Sequence, residues 1–196
     1  MTINYTTFSE AGIRRANQDV CKVVEMTQHK RTLMVLCDGM GGHSMGDVAA
    51  NTVCNSICDF WESNPEYPDC EEKVIEACKK AAEALYVRSQ VVRQIEMGTT
   101  FVMASIEGNI VTIAHCGDSR CYLLRNGALV HQTTDHIDPI INPEAIQRCF
   151  FSTEPEISFR RADGPRFTCC NRLKILVIQC KLPTPFSTEP VMDLKI

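Results

Sequence analysis

Short apolar runs and helix-like spacings of apolar residues organise the first half of the chain. The run TLMVLC (Thr32–Cys37) is followed by Asp-Gly and predicts a buried strand. From Asp47, apolar residues recur every three or four positions and predict an amphipathic helix, whose buried positions are Ala50, Val53, Ile57 and Phe60 or Trp61. The proline-containing stretch NPEYPD (residues 64–69) ends this helix.

A second helix is predicted directly after this break. Asp69, with Glu72 three residues later, resembles a capping box. The apolar face of the helix consists of Val74, Ile75, Cys78, Ala82 and Leu85. We interpret the charges of EEKVIEACKK (residues 71–80) as its solvated face, and we expect the helix to persist toward Arg93.

Three strand-like runs follow the helices: TTFVMASI, NIVTIAHC and RCYLLR, separated by EGN and RNG. A strand, two helices and an antiparallel meander form an α+β pattern rather than alternating βα units. In the last 55 residues, NPEAIQRCFFS is expected to form a short helix and LKILVIQC a buried strand. The stretch KLPTPFSTEP, with three prolines, is expected to be irregular.

Composition narrows the class of protein. A length of 196 residues fits one domain, and the net charge of -4 gives no reason to expect nucleic acid or an anionic membrane as a partner. No apolar run reaches the ~18 residues of a membrane span, and the first residues lack the pattern of a secretory signal. We therefore expect a cytoplasmic protein, in which most of the twelve cysteines behave as small apolar residues.

The first candidate for chemistry is the Asp-Gly pair that follows the predicted strand Thr32–Cys37. Asp38 supplies a carboxylate, and Gly39 supplies a backbone carbonyl that no side chain shields. Oxygen ligands of this kind suit hard cations such as Mg²⁺ or Mn²⁺. An ordinary turn after the strand is the alternative interpretation.

Further segments of the chain favour a cation site at Asp38 and Gly39 over an ordinary turn. In chain order, the motif-bearing segments are Arg14–Asp19, Asp38–His43, Gly98–Thr100, Gly117–Arg120 and Thr134–His136. Their order and spacing resemble those of the metal-dependent serine/threonine protein phosphatases of type 2C in their bacterial form. That family carries Arg-x-x-Asn-(Glu/Gln)-Asp, Asp-Gly-Met-Gly-Gly-His, Gly-Thr-Thr, Gly-Asp-Ser-Arg and a segment ending in Asp-His. The resemblance covers roughly residues 8–152.

The resemblance implies an α+β fold, a sandwich of two antiparallel β-sheets flanked by α-helices, with Mn²⁺ or Mg²⁺ ions at one edge. It implies hydrolysis of phosphoserine and phosphothreonine on phosphorylated protein substrates, in signalling. It assigns the site residues as follows: Asp38 bridges two ions, Gly39 gives its carbonyl, Asp19 helps to hold water on the metal, Arg14 binds the phosphoryl oxygens, and Asp118 helps to bind a further, weaker ion.

Several side chains keep alternative interpretations. Arg15 is an immediate rival for the role of Arg14, and Asp118 has the alternative of a turn residue without metal. His43 is interpreted as a local hydrogen-bonding residue. Met40 occupies the position of the histidine that donates a proton in some family members, so no general acid is named. For His115, His131 and His136 we expect roles in packing or turns.

The match to the family ends before its last two motifs. The family's pattern continues with an Asp-Gly-Leu-like segment after an apolar strand and a Gly-x-x-Asp-Asn segment, and neither is present. After residue 149 the aspartates are Asp163, within FRRADGP, and Asp193, which precedes leucine. Cys180 and Lys181 stand where the Asp-Gly pair is expected.

We therefore divide the chain into residues 1–152, a phosphatase-like core, and 153–196, a diverged or truncated part of the same domain, and expect the sandwich to be incomplete at the C-terminus. Three functional hypotheses remain: an active phosphatase, a catalytically impaired module that binds phosphopeptides through Arg14, and a partial domain. A frameshift, a truncation or a real divergence explains the last residues equally well. The sequence indicates no oligomeric state.

Overall fold

A computed structural model describes residues 3–11, 16–40, 45–92, 96–108, 110–125, 128–138, 142–146, 149–152, 166–171, 175–179 and 191–195. The helices are α1 (Gly46–Ser63) and α2 (Glu71–Val91), together with a 3-10 turn at Thr27–His29. The strands of the first half are β1 (Asn4–Thr6), β2 (Asp19–Met26), β3 (Arg31–Met40), β4 (Gly98–Thr99), β5 (Phe101–Glu107) and β6 (Ile110–Cys116). The later strands are β7 (Arg120–Arg125), β8 (Ala128–Gln132), β9 (Ile137–Asp138), β10 (Asn142–Ile146), β11 (Phe150–Phe151), β12 (Arg166–Asn171), β13 (Ile175–Gln179) and β14 (Val191–Lys195).

The described strands form two principal antiparallel sheets. The seven-stranded sheet has the order β11-β4-β3-β5-β6-β12, with β2 also paired to β3. The five-stranded sheet has the order β1-β14-β13-β7-β8, and β9 pairs with β10 separately. The two antiparallel sheets share an inter-sheet core, and both helices pack on the seven-stranded sheet, in agreement with the predicted α+β sandwich.

Strand β3 is apolar on both faces because it lies between two cores. Leu33, Val35 and Cys37 face the helices and belong to a core shared with α1 and α2. Met34 and Leu36 point the other way, into an inter-sheet core that includes residues of β5, β6 and β7. The continuous apolar run that predicted this strand is therefore explained by burial on both sides.

The helices largely match their predicted positions. The buried face of α1 contains the predicted Ala50, Val53, Ile57 and Trp61. Helix α2 begins at Glu71, but its N-cap residue is Cys70 and makes no capping hydrogen bond through its side chain, so the predicted capping box at Asp69 is wrong. The described helix ends at Val91.

Asp69 is instead the centre of a buried ionic group, called here the Asp69 cluster. Its Oδ1 lies 3.2 Å from both Arg31 Nε and Lys73 Nζ. Trp61 Nε1 donates to the same oxygen at 3.1 Å, and the Ser105 hydroxyl donates to Oδ2. The interpretation of all helix charges as solvated is therefore wrong for Lys73, which is 0% exposed.

The C-terminal third departs from the sequence-based prediction in one place. Residues 142–146 of NPEAIQRCFFS form β10, not a helix, and the described part of its end forms β11. The predicted strand in LKILVIQC is confirmed as β13. The proline-rich stretch 181–190 lies outside the described residues. Among the residues that are described, no helix has the length and apolarity to span a membrane.

Candidate functional site

Asp19 and Asp38 lie directly opposite each other on neighbouring strands. Asp19 begins β2 and pairs with Asp38, near the end of β3. Side chains of directly paired residues share one face, with Cβ atoms about 4.5–5.5 Å apart. The alternation along β3 directs Asp38 to the same face as Leu36, toward the five-stranded sheet. The structure thus brings two of the predicted site residues together, and Asp38 lies in a strand rather than a turn.

The carboxylate of Asp19 is partly buried. Its backbone N–H donates to Asn17 Oδ1 at 3.0 Å, and the Asn17 amide donates to Ser9 Oγ at 2.6 Å. Asp19 Oδ1 is shielded from solvent and has no hydrogen-bond partner among the described residues. A carboxylate oxygen in this situation beside a second carboxylate is unfavourable unless a cation compensates the charge.

Gly39 is glycine for a steric reason that the sequence does not show. A Cβ built at Gly39 would lie 2.2 Å from the carbonyl oxygen of Gly46, the first residue of α1. On the other side it would lie 2.9 Å from the Gln18 carbonyl oxygen, which accepts the Gly39 N–H at 3.1 Å. The close approach of α1 to β3 therefore requires glycine at this position, immediately beside Asp38.

Two threonines of the Gly-Thr-Thr segment fix the backbone of Asp38. The Asp38 carbonyl accepts the Thr100 N–H and the Thr99 hydroxyl, both at 2.9 Å. The Asp38 N–H donates to Thr100 Oγ1 at 3.0 Å. Both threonines are completely buried, so the position of the Asp38 backbone is set by packed groups rather than by solvent.

The Gly-Asp-Ser-Arg segment forms the neighbouring turn. Gly117 has a φ of +114°, and a Cβ there would lie 2.8 Å from the Thr100 side chain. Ser119 Oγ is 2.7 Å from Thr100 Oγ1. Asp118 is half-buried between these residues, and its charge contributes, after burial and Cys116, to raising the pKa of the Cys149 thiol. The turn that carries Asp118 is therefore packed against the residue that fixes Asp38.

The segment Thr134–His136 makes further contacts with the Gly117–Arg120 turn. Arg120 makes a two-pronged contact with Asp135, with both N–O distances 2.7 Å, and this contact raises the pKa of Arg120. His136 Nδ1 accepts the Gly117 N–H at 3.2 Å, and the His136 ring stacks on His115 at 4.5 Å. His115 and His136 thus hold the backbone together, in agreement with the packing role expected for them.

The remaining candidates divide into two groups. Arg14, its rival Arg15, and His43 lie outside the described residues, as do Asp163 and the Cys180–Lys181 pair. Asp193 lies within β14, where its backbone is paired with Thr6 and Val177. In the described part of the chain no group of three or more His, Cys, Asp or Glu side chains is arranged to hold a metal ion.

The described residues fit one hard cation. The two opposed carboxylates and the Gly39 carbonyl offer oxygen donors, and Mg²⁺ is commonly held by one or two carboxylates with water completing its shell. The buried, unpaired Oδ1 of Asp19 is the observation that favours a cation here. A second ion held equally tightly would need carboxylates beyond those that the structure describes at this site.

Comparison with known proteins identifies the family. The model of the family "Protein phosphatase 2C" matches residues 6–139. This is more than half of the chain, and the chain therefore belongs to the protein phosphatase 2C family. The serine/threonine phosphatase Stp of Listeria innocua is 36% identical over 130 residues, covering 63% of this chain and 50% of Stp. The chain thus spans about half the length of this relative.

Solved structures extend the likeness to the whole chain. Stp1 from Staphylococcus aureus superposes with a TM-score of 0.78 at 22% identity, covering 99% of this chain and 94% of Stp1, which shows a common fold. The catalytic domain of the serine/threonine protein phosphatase PstP, solved with two manganese ions, superposes with a TM-score of 0.70 at 27% identity. That superposition covers 90% of this chain and 76% of PstP.

Proposed function

We propose that this chain is a metal-dependent protein phosphatase that hydrolyses phosphoserine and phosphothreonine on protein substrates with Mn²⁺ or Mg²⁺. The main support for this proposal is that Asp19 and Asp38 lie directly opposite each other on neighbouring strands. Hydrogen bonds from Thr99 and Thr100 fix the backbone of Asp38. Family membership and the manganese complex of the similar PstP support the choice of reaction and metal.

Each predicted site residue has a role in this proposal. The Asp38 carboxylate and the Gly39 carbonyl would hold the cation, and Asp19 would orient water beside it. Arg14 would bind the phosphoryl oxygens in the bidentate manner available to a guanidinium. Asp118, on the adjacent turn, would hold a further cation more weakly. When bound, the metal supplies a nucleophilic water at neutral pH and stabilises charge on the phosphoryl group.

Turnover of p-nitrophenyl phosphate at millimolar Mn²⁺ tests the proposal. We expect wild-type activity to fall at least about 100-fold in Asp38→Asn, because the metal's stabilisation of transition-state charge is worth several kcal/mol. Asp59→Asn, at an exposed position of α1, removes the same charge away from the site and serves as the control. Absence of wild-type turnover, or equal loss in both variants, would contradict the proposal.

A second candidate function is a phosphatase-like module that binds phosphopeptides without hydrolysing them. Cys180 and Lys181, which stand where the family's Asp-Gly pair is expected, favour it, since the described carboxylates fit one ion rather than two. Titration calorimetry with a phosphoserine peptide distinguishes the two functions. The module requires binding that is lost in Arg14→Ala and retained in the neighbouring control Arg15→Ala. Binding that does not depend on Arg14 would exclude it.

We further infer that the chain acts in signalling in the cytoplasm. Every cysteine whose side chain the structure describes is a free thiol, as is usual in a reducing compartment. The similar phosphatases are named for action on serine and threonine, so the expected partners are phosphorylated proteins, including the substrates of protein kinases. Labelling the chain with a fluorescent protein in live cells tests its location.

A further inference from the structure

The hydroxyl groups of Thr100 and Ser119 form a buried contact between the two sides of the candidate site. Their Oγ atoms are 2.7 Å apart, and the residues are 0% and 1% exposed. Thr100 also contacts the Asp38 peptide twice, since its Oγ1 accepts the Asp38 N–H and its own N–H donates to the Asp38 carbonyl. The Asp38 backbone is thus supported by Thr100, and Thr100 in turn by Ser119.

The turn that carries Asp118 is confined between Thr100 and His136. Gly117 approaches Thr100 so closely that a Cβ at Gly117 would lie 2.8 Å from Thr100 Cβ. From the other side, the Gly117 N–H donates to His136 Nδ1 at 3.2 Å, and its carbonyl accepts the His136 N–H at 2.9 Å. Packed, hydrogen-bonded groups therefore connect the turn that carries Asp118 to the Asp38 backbone.

We propose that Thr100 and Ser119 are positioning residues that set the spacing between the Asp38 carboxylate and the Asp118 turn, and thereby determine the affinity of the site for its cation. This inference rests on the proposed metal site. The Thr100 hydroxyl accepts the Asp38 N–H, and the hydroxyl of Ser119, the residue that follows Asp118, contacts the Thr100 hydroxyl. A single buried hydrogen bond corresponds to a factor of roughly ten in an equilibrium constant.

The test is the affinity of the full chain for Mn²⁺, measured by titration calorimetry. We expect the dissociation constant to rise about tenfold in Ser119→Ala, which removes one buried hydrogen bond, and at least as much in Thr100→Val, which removes two. It should stay near wild type in Thr100→Ser, which keeps the hydroxyl. The double variant Thr100→Val with Ser119→Ala should be little worse than Thr100→Val alone, because Thr100→Val already removes the contact with Ser119 together with the acceptor of the Asp38 N–H.

Thr112→Val is the matched control. Thr112 is 1% exposed in β6 of the same sheet, and its hydroxyl lies 3.5 Å from the Asp69 carbonyl rather than near Asp38. We expect this variant to bind Mn²⁺ as wild type does, even if its thermal midpoint is lower. A general packing defect would lower the thermal midpoints of Thr100→Val and Thr112→Val alike and leave both affinities unchanged, which would overturn the inference.

The same measurement separates this inference from the proposed function. Mn²⁺ binding that is weakened in Thr100→Val, in a chain without turnover, would remove the enzymatic proposal and support the positioning role. A wild-type chain without Mn²⁺ binding, or binding that persists in Asp38→Asn, would overturn both. If Thr100→Val does not fold, the Mn²⁺ affinities of Ser119→Ala, Thr100→Ser and wild type are compared instead. Weaker binding in Ser119→Ala alone would support the inference, and equal affinities in all three would overturn it.

Discussion

At the scale of single residues, the positions of the carboxylates in the candidate site depend on the groups that pack against them and bind their backbone. Asp38 and Asp19 face each other, while the groups that hold Asp38 come from other segments of the chain, among them Thr99–Thr100 and the start of α1. Gly39 shows this most directly, because its missing side chain is the space in which the start of α1 lies. The position of Asp38 therefore depends on the packing of a helix against β3.

Replacement of Gly39 by alanine tests this dependence. We expect Gly39→Ala to lower the free energy of unfolding by about 3 kcal/mol, since its Cβ would meet two backbone carbonyls, at 2.2 and 2.9 Å, that cannot rotate away. Denaturant unfolding measures the loss. In the control Gly108→Ala no atom lies within 4 Å, but φ is +58°, so strain alone should cost about 1–2 kcal/mol. Equal losses in the two variants would contradict the steric explanation.

The sequence supplies candidate residues for the chemistry, but it does not show what holds them in place. Asp19, Asp38 and Asp118 are found from motif order, and the structure places the first two opposite each other and the third on an adjacent turn. Their roles remain predictions. The reason for Gly39 is invisible in the sequence, because the atom that excludes a side chain belongs to Gly46, seven residues later in the chain.

At the scale of secondary structure elements, the Asp69 cluster joins the connection between α1 and α2 to the seven-stranded sheet. Arg31 of β3 and Lys73 of α2 share the Asp69 carboxylate, and Lys73 also donates to the carbonyls of Asn64 and Tyr67. Desolvation of Lys73 lowers its pKa, and the charge of Asp69 opposes that shift. The carboxylate thus makes it possible to bury two cations.

Asp69→Asn should lower the free energy of unfolding by about 3–5 kcal/mol, because it leaves buried cations without their shared counter-charge. Glu83→Gln is the matched control, since Glu83 forms an exposed ion pair with Lys80 on α2 and its loss should cost about 0–1 kcal/mol. Urea unfolding of both variants measures the difference. A loss in Asp69→Asn as small as that of the control would show that the cluster adds nothing to stability.

The elements themselves were largely predictable from periodicity. Both helices and the strands β3, β5, β6, β7 and β13 follow from apolar spacing. The errors have a common cause in tertiary contacts: Asp69 binds Arg31 and Lys73 instead of capping α2, and the stretch from Asn142 pairs with β9 as a strand instead of forming a helix. Such partners are distant in sequence, and local patterns contain no information about them.

At the scale of the whole molecule, buried thiols make stability dependent on pH. Burial raises the pKa of Cys21 to about 11, and it also raises the pKa values of Cys78 and Cys149. The hydrogen bond to Cys37 raises the pKa of Cys54, and the hydrogen bond to Cys54 raises the pKa of Cys58. The folded state therefore keeps protons that the unfolded state releases above a pH of about 8.5.

A thiol whose pKa is raised on folding contributes stability that is fully present below its unfolded pKa and is lost as pH rises through its folded pKa. We expect the free energy of unfolding to fall between pH 9 and pH 11 under reducing conditions. Cys78→Ala should reduce the slope by about 1.4 kcal/mol per pH unit, the contribution of one proton. Val74→Ala, also buried in α2, should lower stability and leave the slope unchanged. Unchanged slopes in both variants would contradict the assignment.

The last 44 residues contribute strands to both sheets. The strand β12 pairs with β6, and β13 and β14 lie between β7 and β1 in the five-stranded sheet. Without them, β7 and β8 would be the remaining described pair of that sheet, and a two-stranded ribbon is marginally stable in water. The inter-sheet core, with Leu36 of β3 and Leu123 of β7, depends on that second layer.

Deletion of residues 153–196 tests whether these residues belong to the same cooperative unit, as the sequence-based division of the chain predicts. We expect the shortened chain to lose its sharp thermal transition and to bind a dye for exposed apolar surface, because the inter-sheet face of the seven-stranded sheet becomes accessible to solvent. The full chain, measured in parallel, is the control. A shortened chain that unfolds as sharply and at the same temperature would show that residues 1–152 fold independently and that the final strands are not required for the core.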